Sequence, residues 1–281
     1  MNKNQGITKV KDHAVSGEFF ELVPVDSMEM LETTPRPLNL EKYYESQDYI
    51  SHTDSRRNWF EWIYQAVRSK AIRRKLKLIS NEVAVKGELL DFGCGTGDFL
   101  SKAYSEGWNI TGVEPNSAAR NVANQKTGNA VLSIEEFDKS NQKKFDVITL
   151  WLVLEHLDDP VKWLSNFKAL LKNEGVLIIA VPNHKSFDAG YYKSFWAAYD
   201  VPRHLWHFSK QSIHKLSEQC NLKLEKISPM HFDAYYVSLL SEKYKSGWMN
   251  IFNAFFIATR SNLKASGNGE YSSLIYVLKH S

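Results

Sequence analysis

The chain has 281 residues, 43% hydrophobic and 24% charged, with a formal net charge of +3. That length and ordinary composition predict one large globular domain, or one with additions, and the mixed charge excludes a nucleic-acid footprint. The solitary cysteines Cys94 and Cys220 exclude a disulfide framework or a cysteine zinc site, and the lack of any membrane-length apolar run predicts a soluble cytoplasmic protein.

Residues 1–40 read as an irregular N-terminal extension. Phe19, Phe20, Leu22 and Val23 suit a short strand, but Pro24, Pro35 and Pro37 break anything longer. Residues 41–86 read as a helical cap segment, because Tyr43, Tyr44, Tyr49, Trp59, Trp62, Ile63, Val67, Ile72, Leu76 and Ile79 recur at helical spacing. The interleaved Arg56, Arg57, Arg68, Lys70, Arg73, Arg74, Lys75 and Lys77 read as a solvated face rather than a nucleic-acid-binding helix.

From residue 87 strands and helices alternate. Strands are predicted at Glu88–Phe92, Asn109–Val113, Ala130–Leu132, Phe145–Leu150, Val176–Val181, Leu222–Ile227 and Ser273–Leu278. Helices start at Asp98, at Asn116 or Ser117, at Asp159-Pro160 and at Ser209. Residues 231–270 form an aromatic, helical insertion. This alternation predicts a doubly wound, mostly parallel α/β sheet.

The stretch Leu89–Leu100, LLDFGCGTGDFL, reads as strand, glycine turn, helix. Gly93, Gly95 and Gly97 let a ligand lie against the main chain. A dinucleotide fingerprint needs a third glycine where this chain has Asp98, which argues against a nicotinamide dehydrogenase. Asp91 and Asp98 at the loop edges suit a cationic ligand end, and Glu114, closing the second strand of the core, suits a ribose diol. Ribose, ammonium and sulfonium without phosphate describe S-adenosylmethionine.

With VEP, FDVITLWLVLEHLDDP and GVLIIAVPN, this stretch resembles the class I S-adenosylmethionine-dependent methyltransferases, most closely the small-molecule O-methyltransferases of ubiquinone-biosynthesis type. The resemblance covers about residues 89–227. It implies a Rossmann-like sheet of seven strands, the last antiparallel, and a methyltransferase domain over 87–281. It also implies cofactor contacts from Asp91, Gly93, Cys94, Gly95, Gly97, Glu114 and Pro115, from Ser133 and Ile134 at the adenine, and from Leu150 and Trp151 beneath it. Some members hold a divalent cation with a Glu, Glu, His trio. Leu152 stands at the first of those positions, so no metal is expected.

His156 is the first candidate for a general base on an acceptor hydroxyl, with His204 of the Trp196–Phe208 loop second; each also has a structural reading. Glu155 and His207 read as structural. Tyr43, Tyr44 and His52 are weaker candidates for closure over the cofactor. The insertion reads as a lid over an apolar substrate, a homodimer surface, a peripheral membrane contact or an extra core layer. The expected partner is a small-molecule methyl acceptor, with oxygen favoured by the resemblance. A nucleic-acid or protein methyltransferase and a non-catalytic cofactor-binding scaffold are the alternatives.

Overall fold

The computed structural model describes residues 8–44, 59–139 and 143–281. Tyr49, His52, Arg56 and Arg57 lie outside the described residues, as do the side chains of Trp59, Trp62, Ile63 and Val67.

Seven strands make the central sheet: β4 (Glu88–Phe92), β5 (Asn109–Val113), β6 (Val131–Leu132), β7 (Phe145–Trp151), β8 (Leu171–Pro182), β10 (Leu222–Pro229) and β11 (Ser273–His280). Their order across the sheet is β10-β11-β8-β7-β4-β5-β6, with β11 antiparallel to both neighbours and β4 through β8 parallel. This is the predicted arrangement. The chain reverses direction beside β4, so the carboxyl ends of β4 and β7 border an open crevice.

Side chains alternate between two apolar layers. Leu90, Ile148, Leu150 and Ile179 pack on one face with Leu164 and Phe167 of α5 (Pro160–Leu170). Leu89, Val147 and Ile178 pack on the other with Leu76 and Ile79 of α1 (Trp59–Glu82) and with Leu100 and Ala103 of α2 (Asp98–Ser105). Burial on both faces is why these strands read as continuous apolar runs. Caps set the helix starts: Asn116 for α3 (Ser117–Thr127), Asp159 for α5, and Ser209 in a capping box for α7 (Lys210–Gln219). The short α4 (Ile134–Lys139) follows β6.

The irregular N-terminal extension is corrected. Residues 8–34 form β1 (Thr8–Lys11), β2 (Phe19–Val25) and β3 (Met30–Thr34), and β9 (Trp206–His207) completes an antiparallel sheet in the order β1-β2-β3-β9. Phe20 and Leu22 alternate inward into a separate apolar cluster. Pro24 does not break β2, because among the described residues β1 pairs only with Phe19–Leu22 and Pro24 pairs on one side alone, with Leu31 of β3. The sheet is tied down by Arg203, which donates to Asp12 at 3.1 Å, to Asp200 at 2.6 Å and to the carbonyl of Tyr43 at 3.0 Å.

The insertion is an antiparallel helix pair, α8 (Asp233–Ser246) and α9 (Ile251–Asn268). Buried Asp188, on the short α6 (Phe187–Tyr192), fastens it by accepting from Ser261 at 2.6 Å, Ser272 at 2.7 Å and Trp196 Nε1 at 2.8 Å.

Candidate active site

A cavity of about 430 Å³ opens at the carboxyl end of β4. Its floor is the glycine turn. The amides of Gly93 and Cys94 donate to the Val113 carbonyl at 2.8 and 3.1 Å. Gly93 has φ +73°, and a Cβ there would stand 2.5 Å from Val153 Cγ2. Gly95 has φ +56°, and its missing Cβ would project into open space within the cavity lining. A ligand can therefore approach the backbone at Gly95 as closely as a glycine permits.

Glu114 holds this turn in place. Its Oε2 accepts from the Gly95 amide at 2.8 Å and its Oε1 from the Asn116 amide at 2.9 Å. Burial raises its pKa, and those two amides partly offset the rise. Each oxygen keeps a lone pair that these amides do not use.

Opposite the turn, Arg68, Ala71, Ile72 and Lys75 of α1 form the other wall. Lys75 Nζ lies 4.2 Å from the centroid of the Trp151 ring and faces buried Asp91. Asp91 accepts from Thr149 Oγ1 at 2.7 Å. Burial pushes Asp91 up and Lys75 down, and their mutual attraction opposes both shifts. The cavity thus carries two acids, Asp91 and Asp98, and two cations, Arg68 and Lys75.

Beyond Trp151 the chain turns through Leu152, a non-glycine residue at φ +60°, into Glu155 and His156. The Trp196–Phe208 loop brings His204 against them, with the two imidazole rings edge to face at 4.6 Å. One ligand atom from each of Glu155, His156 and His204 lies within 4.8 Å of the others. His156 Nδ1 sits 3.0 Å from the Arg203 carbonyl and 3.0 Å from the Tyr44 hydroxyl. His204 Nδ1 sits 2.9 Å from the Ala198 carbonyl. A carbonyl only accepts, so both imidazoles carry their proton on Nδ1 and present Nε2 as the acceptor. Burial, then His204, pushes His156 down to about 3, and burial lowers His204 as well. Among the described residues neither oxygen of fully buried Glu155 has a hydrogen-bond partner, and burial pushes its pKa up to about 8.

A family model described as "Methyltransferase domain" matches residues 64–227. The chain belongs to that methyltransferase family. It is a class I enzyme with S-adenosylmethionine as its cofactor. The methyltransferase is 28% identical over 219 residues to a ubiquinone biosynthesis O-methyltransferase of Coxiella burnetii, covering 71% of this chain and 89% of the relative. It is 29% identical over 181 residues to the enzyme of that name from Actinobacillus pleuropneumoniae, covering 58% and 74%. In fold it is similar to magnesium protoporphyrin IX methyltransferase from Synechocystis, with TM-score 0.56 at 14% identity over 85% of this chain and 97% of the other. It is also similar to geranyl diphosphate C-methyltransferase from Streptomyces coelicolor, with TM-score 0.54 at 13% identity over 83% and 88%.

Asp91, Gly93, Cys94, Gly95 and Trp151 line the methyltransferase cavity. Gly97 and Glu114 support it from behind, Gly97 by letting Ala123 approach to within 2.9 Å of where its Cβ would be. The Pro115 carbonyl is occupied by Arg120 at 2.9 Å. Ser133 and Ile134 open α4: Ser133 exchanges hydrogen bonds with Glu136, and Ile134 packs on the core. Leu150 is corrected: its side chain belongs to the apolar layer on the far side of the sheet from Trp151. Asp98 also lines the cavity, paired there with Arg68 and Lys126. The solvated-face reading of the basic segment holds for exposed Arg73 and Lys77 but not for Arg68 and Lys75. Their signal was spacing: 68, 71, 72 and 75 share one helical stripe. Asn116, Ala119 and Val122, at the start of α3, also line the cavity without having been anticipated. His207 is structural, with its Nε2 2.9 Å from Thr33 Oγ1, which itself donates to the His204 carbonyl at 2.7 Å.

Proposed function

We propose that this methyltransferase moves the methyl group of S-adenosylmethionine to an oxygen of a small-molecule acceptor. The observation that carries the reading is the pair of neutral imidazoles, His156 and His204, just past the β7 end of the cavity. In this reading Lys75 receives the cofactor's carboxylate and Asp91 its ammonium, while Glu114 accepts from the ribose hydroxyls. The acceptor hydroxyl donates to Nε2 of His156 or, second, of His204. As its oxygen attacks the methyl carbon, the carbon–sulfur pair returns to sulfur and the hydroxyl proton passes to the imidazole. Positioning supplies most of the acceleration, and an imidazole held down at about 3 adds only weak proton acceptance. The O-methyltransferase relatives support oxygen as the acceptor atom.

The unpartnered carboxylate of Glu155 favours a second reading of the same cluster. Glu155, His156 and His204 together fit a divalent cation, with His204 supplying the donor that Leu152 does not. Bound there, a divalent cation supplies Lewis acidity that eases proton loss from an acceptor hydroxyl.

The test follows a tritiated methyl group from S-adenosylmethionine into extracted metabolites. A methyl ether, lost with His156→Ala while S-adenosylhomocysteine affinity is kept, is the expected result. A methyl group on nitrogen or carbon overturns the oxygen assignment. Calorimetric titration with Mg²⁺, Mn²⁺ and Zn²⁺ separates the two readings: binding abolished by His204→Ala supports the cation, and no binding leaves the imidazole as base.

A further inference from the structure

The helix pair α8–α9 is built inside out. The face of α9 that packs inward is made of Ala254, Ile257, Ala258, Ser261 and Ala265. The large side chains point to solvent: Phe252 is 90% exposed, Leu263 69%, Phe255 62% and Trp248 61%, with Ile251 and Phe256 beside them. None of these lines the cofactor cavity, so they form no lid over it. They cluster at the turn between the helices and along the first turns of α9, with Leu263 two turns further on, and an exposed apolar cluster of this kind marks a contact surface.

Charge decides the occupant. From residue 243 to 268 the chain has four cations, Lys243, Lys245, Arg260 and Lys264, and no acid. All four are exposed. Lys245 lies 5.0 Å from the Tyr191 ring centroid, and Lys264 lies 4.3 Å from that of Phe187, so the cations rim the cluster while their stems lie along apolar surface. The acids bonded to α9, Glu242 and Asp188, are both buried, accepting from Asn253 at 2.5 Å and from Ser261 at 2.6 Å. A second copy docked face to face would bring these like charges together with nothing to offset them. An anionic lipid surface matches both parts of the pattern: Trp, Phe and Leu enter the headgroup boundary, and Lys and Arg meet phosphates at its level.

We propose that α9 and the turn before it dock this enzyme on an anionic membrane surface. No described helix is long and apolar enough to cross a membrane, so the contact is peripheral. Trp248, Ile251, Phe252, Phe255 and Phe256 insert, and the four cations hold the headgroups.

The test is flotation of the full-length protein with phosphatidylcholine vesicles, with and without about 30 mol% phosphatidylglycerol. Binding is expected on anionic vesicles at about 0.1 M salt, falling roughly tenfold or more on neutral vesicles or at about 0.5 M salt. Phe252→Ser with Phe256→Ser, and separately Arg260→Glu with Lys264→Glu, each lower it roughly tenfold or more. Unchanged affinity for S-adenosylhomocysteine in these variants shows that the fold is intact. Absence of vesicle binding by the wild type overturns the proposal, as does binding that both double variants retain. A wild-type dimer that dissociates in the phenylalanine variant, with no vesicle binding, assigns the surface to a second copy instead and also overturns it.

Discussion

Glu155 is a carboxyl group with no exposure and no hydrogen-bond partner among the described residues, and its titration has a readable consequence. Its folded pKa of about 8 lies above the unfolded value of ~4.3. In that window the native state keeps a proton that the unfolded chain has lost, so stability falls as pH rises. His156, held down at about 3, acts in the opposite sense, but only below about pH 6.5. Between about pH 6.5 and 8, Glu155 should therefore contribute a fall in stability of up to ~1.4 kcal/mol per pH unit in thermal unfolding, with Asp91, raised to about 7, adding to it at the lower end, and Glu155→Gln should reduce that slope. An unchanged slope removes Glu155 as its source. Glu114 makes a second prediction at this scale. Glu114→Ala removes the anchor of the Gly95 amide together with the diol acceptor. Calorimetry should find S-adenosylhomocysteine binding weaker by ~1.5–3 kcal/mol, about 10- to 150-fold. Affinity within a factor of two of wild type contradicts the assigned role.

Among elements, the turn between β4 and α2 shows how far a glycine motif could be read. Its three glycines were legible as a close-approach loop, but their separate duties were not. Gly93 accommodates Val153, Gly97 accommodates Ala123, and Gly95 leaves the cavity open. Gly93→Ala should cost more stability than Gly95→Ala, because it adds an overlap with Val153 to the ~1–2 kcal/mol of left-handed strain common to both. Gly95→Ala should instead weaken S-adenosylhomocysteine binding in calorimetry while keeping most of the stability. α1 illustrates the opposite case. Its period was clear in the sequence, yet the direction of Arg68 and Lys75 was not, because periodicity fixes which residues share a stripe and not what the stripe faces. Only the packing of Leu76 and Ile79 on the sheet aims Lys75 at Asp91.

For the whole molecule, Arg203 is the joint between the N-terminal sheet and the methyltransferase core. It is buried between Asp12 and Asp200. Arg203→Met leaves both carboxylates without their cation and should cost ~3–5 kcal/mol in denaturant unfolding. Loss of a single cooperative transition would report separate unfolding of the sheet Thr8–Thr34. A cost below ~1 kcal/mol means that the joint is not formed.

The family resemblance implied the sheet and the cofactor, while the sequence by itself determined the strand positions, the glycine turn and the acid at the end of the second core strand. Each of these is local: a run of apolar residues, a turn needing positive φ, an acid at a strand end. Tertiary structure decided what depends on contacts far apart in the chain. It paired β3 with β9 across more than half the molecule and carried His204 to Glu155 and His156. It also aimed Lys75 of α1 at Asp91 by packing Leu76 and Ile79 on the sheet. Strand pairing and helix orientation are settled by which apolar faces can be buried together, and that choice is made by the whole chain at once.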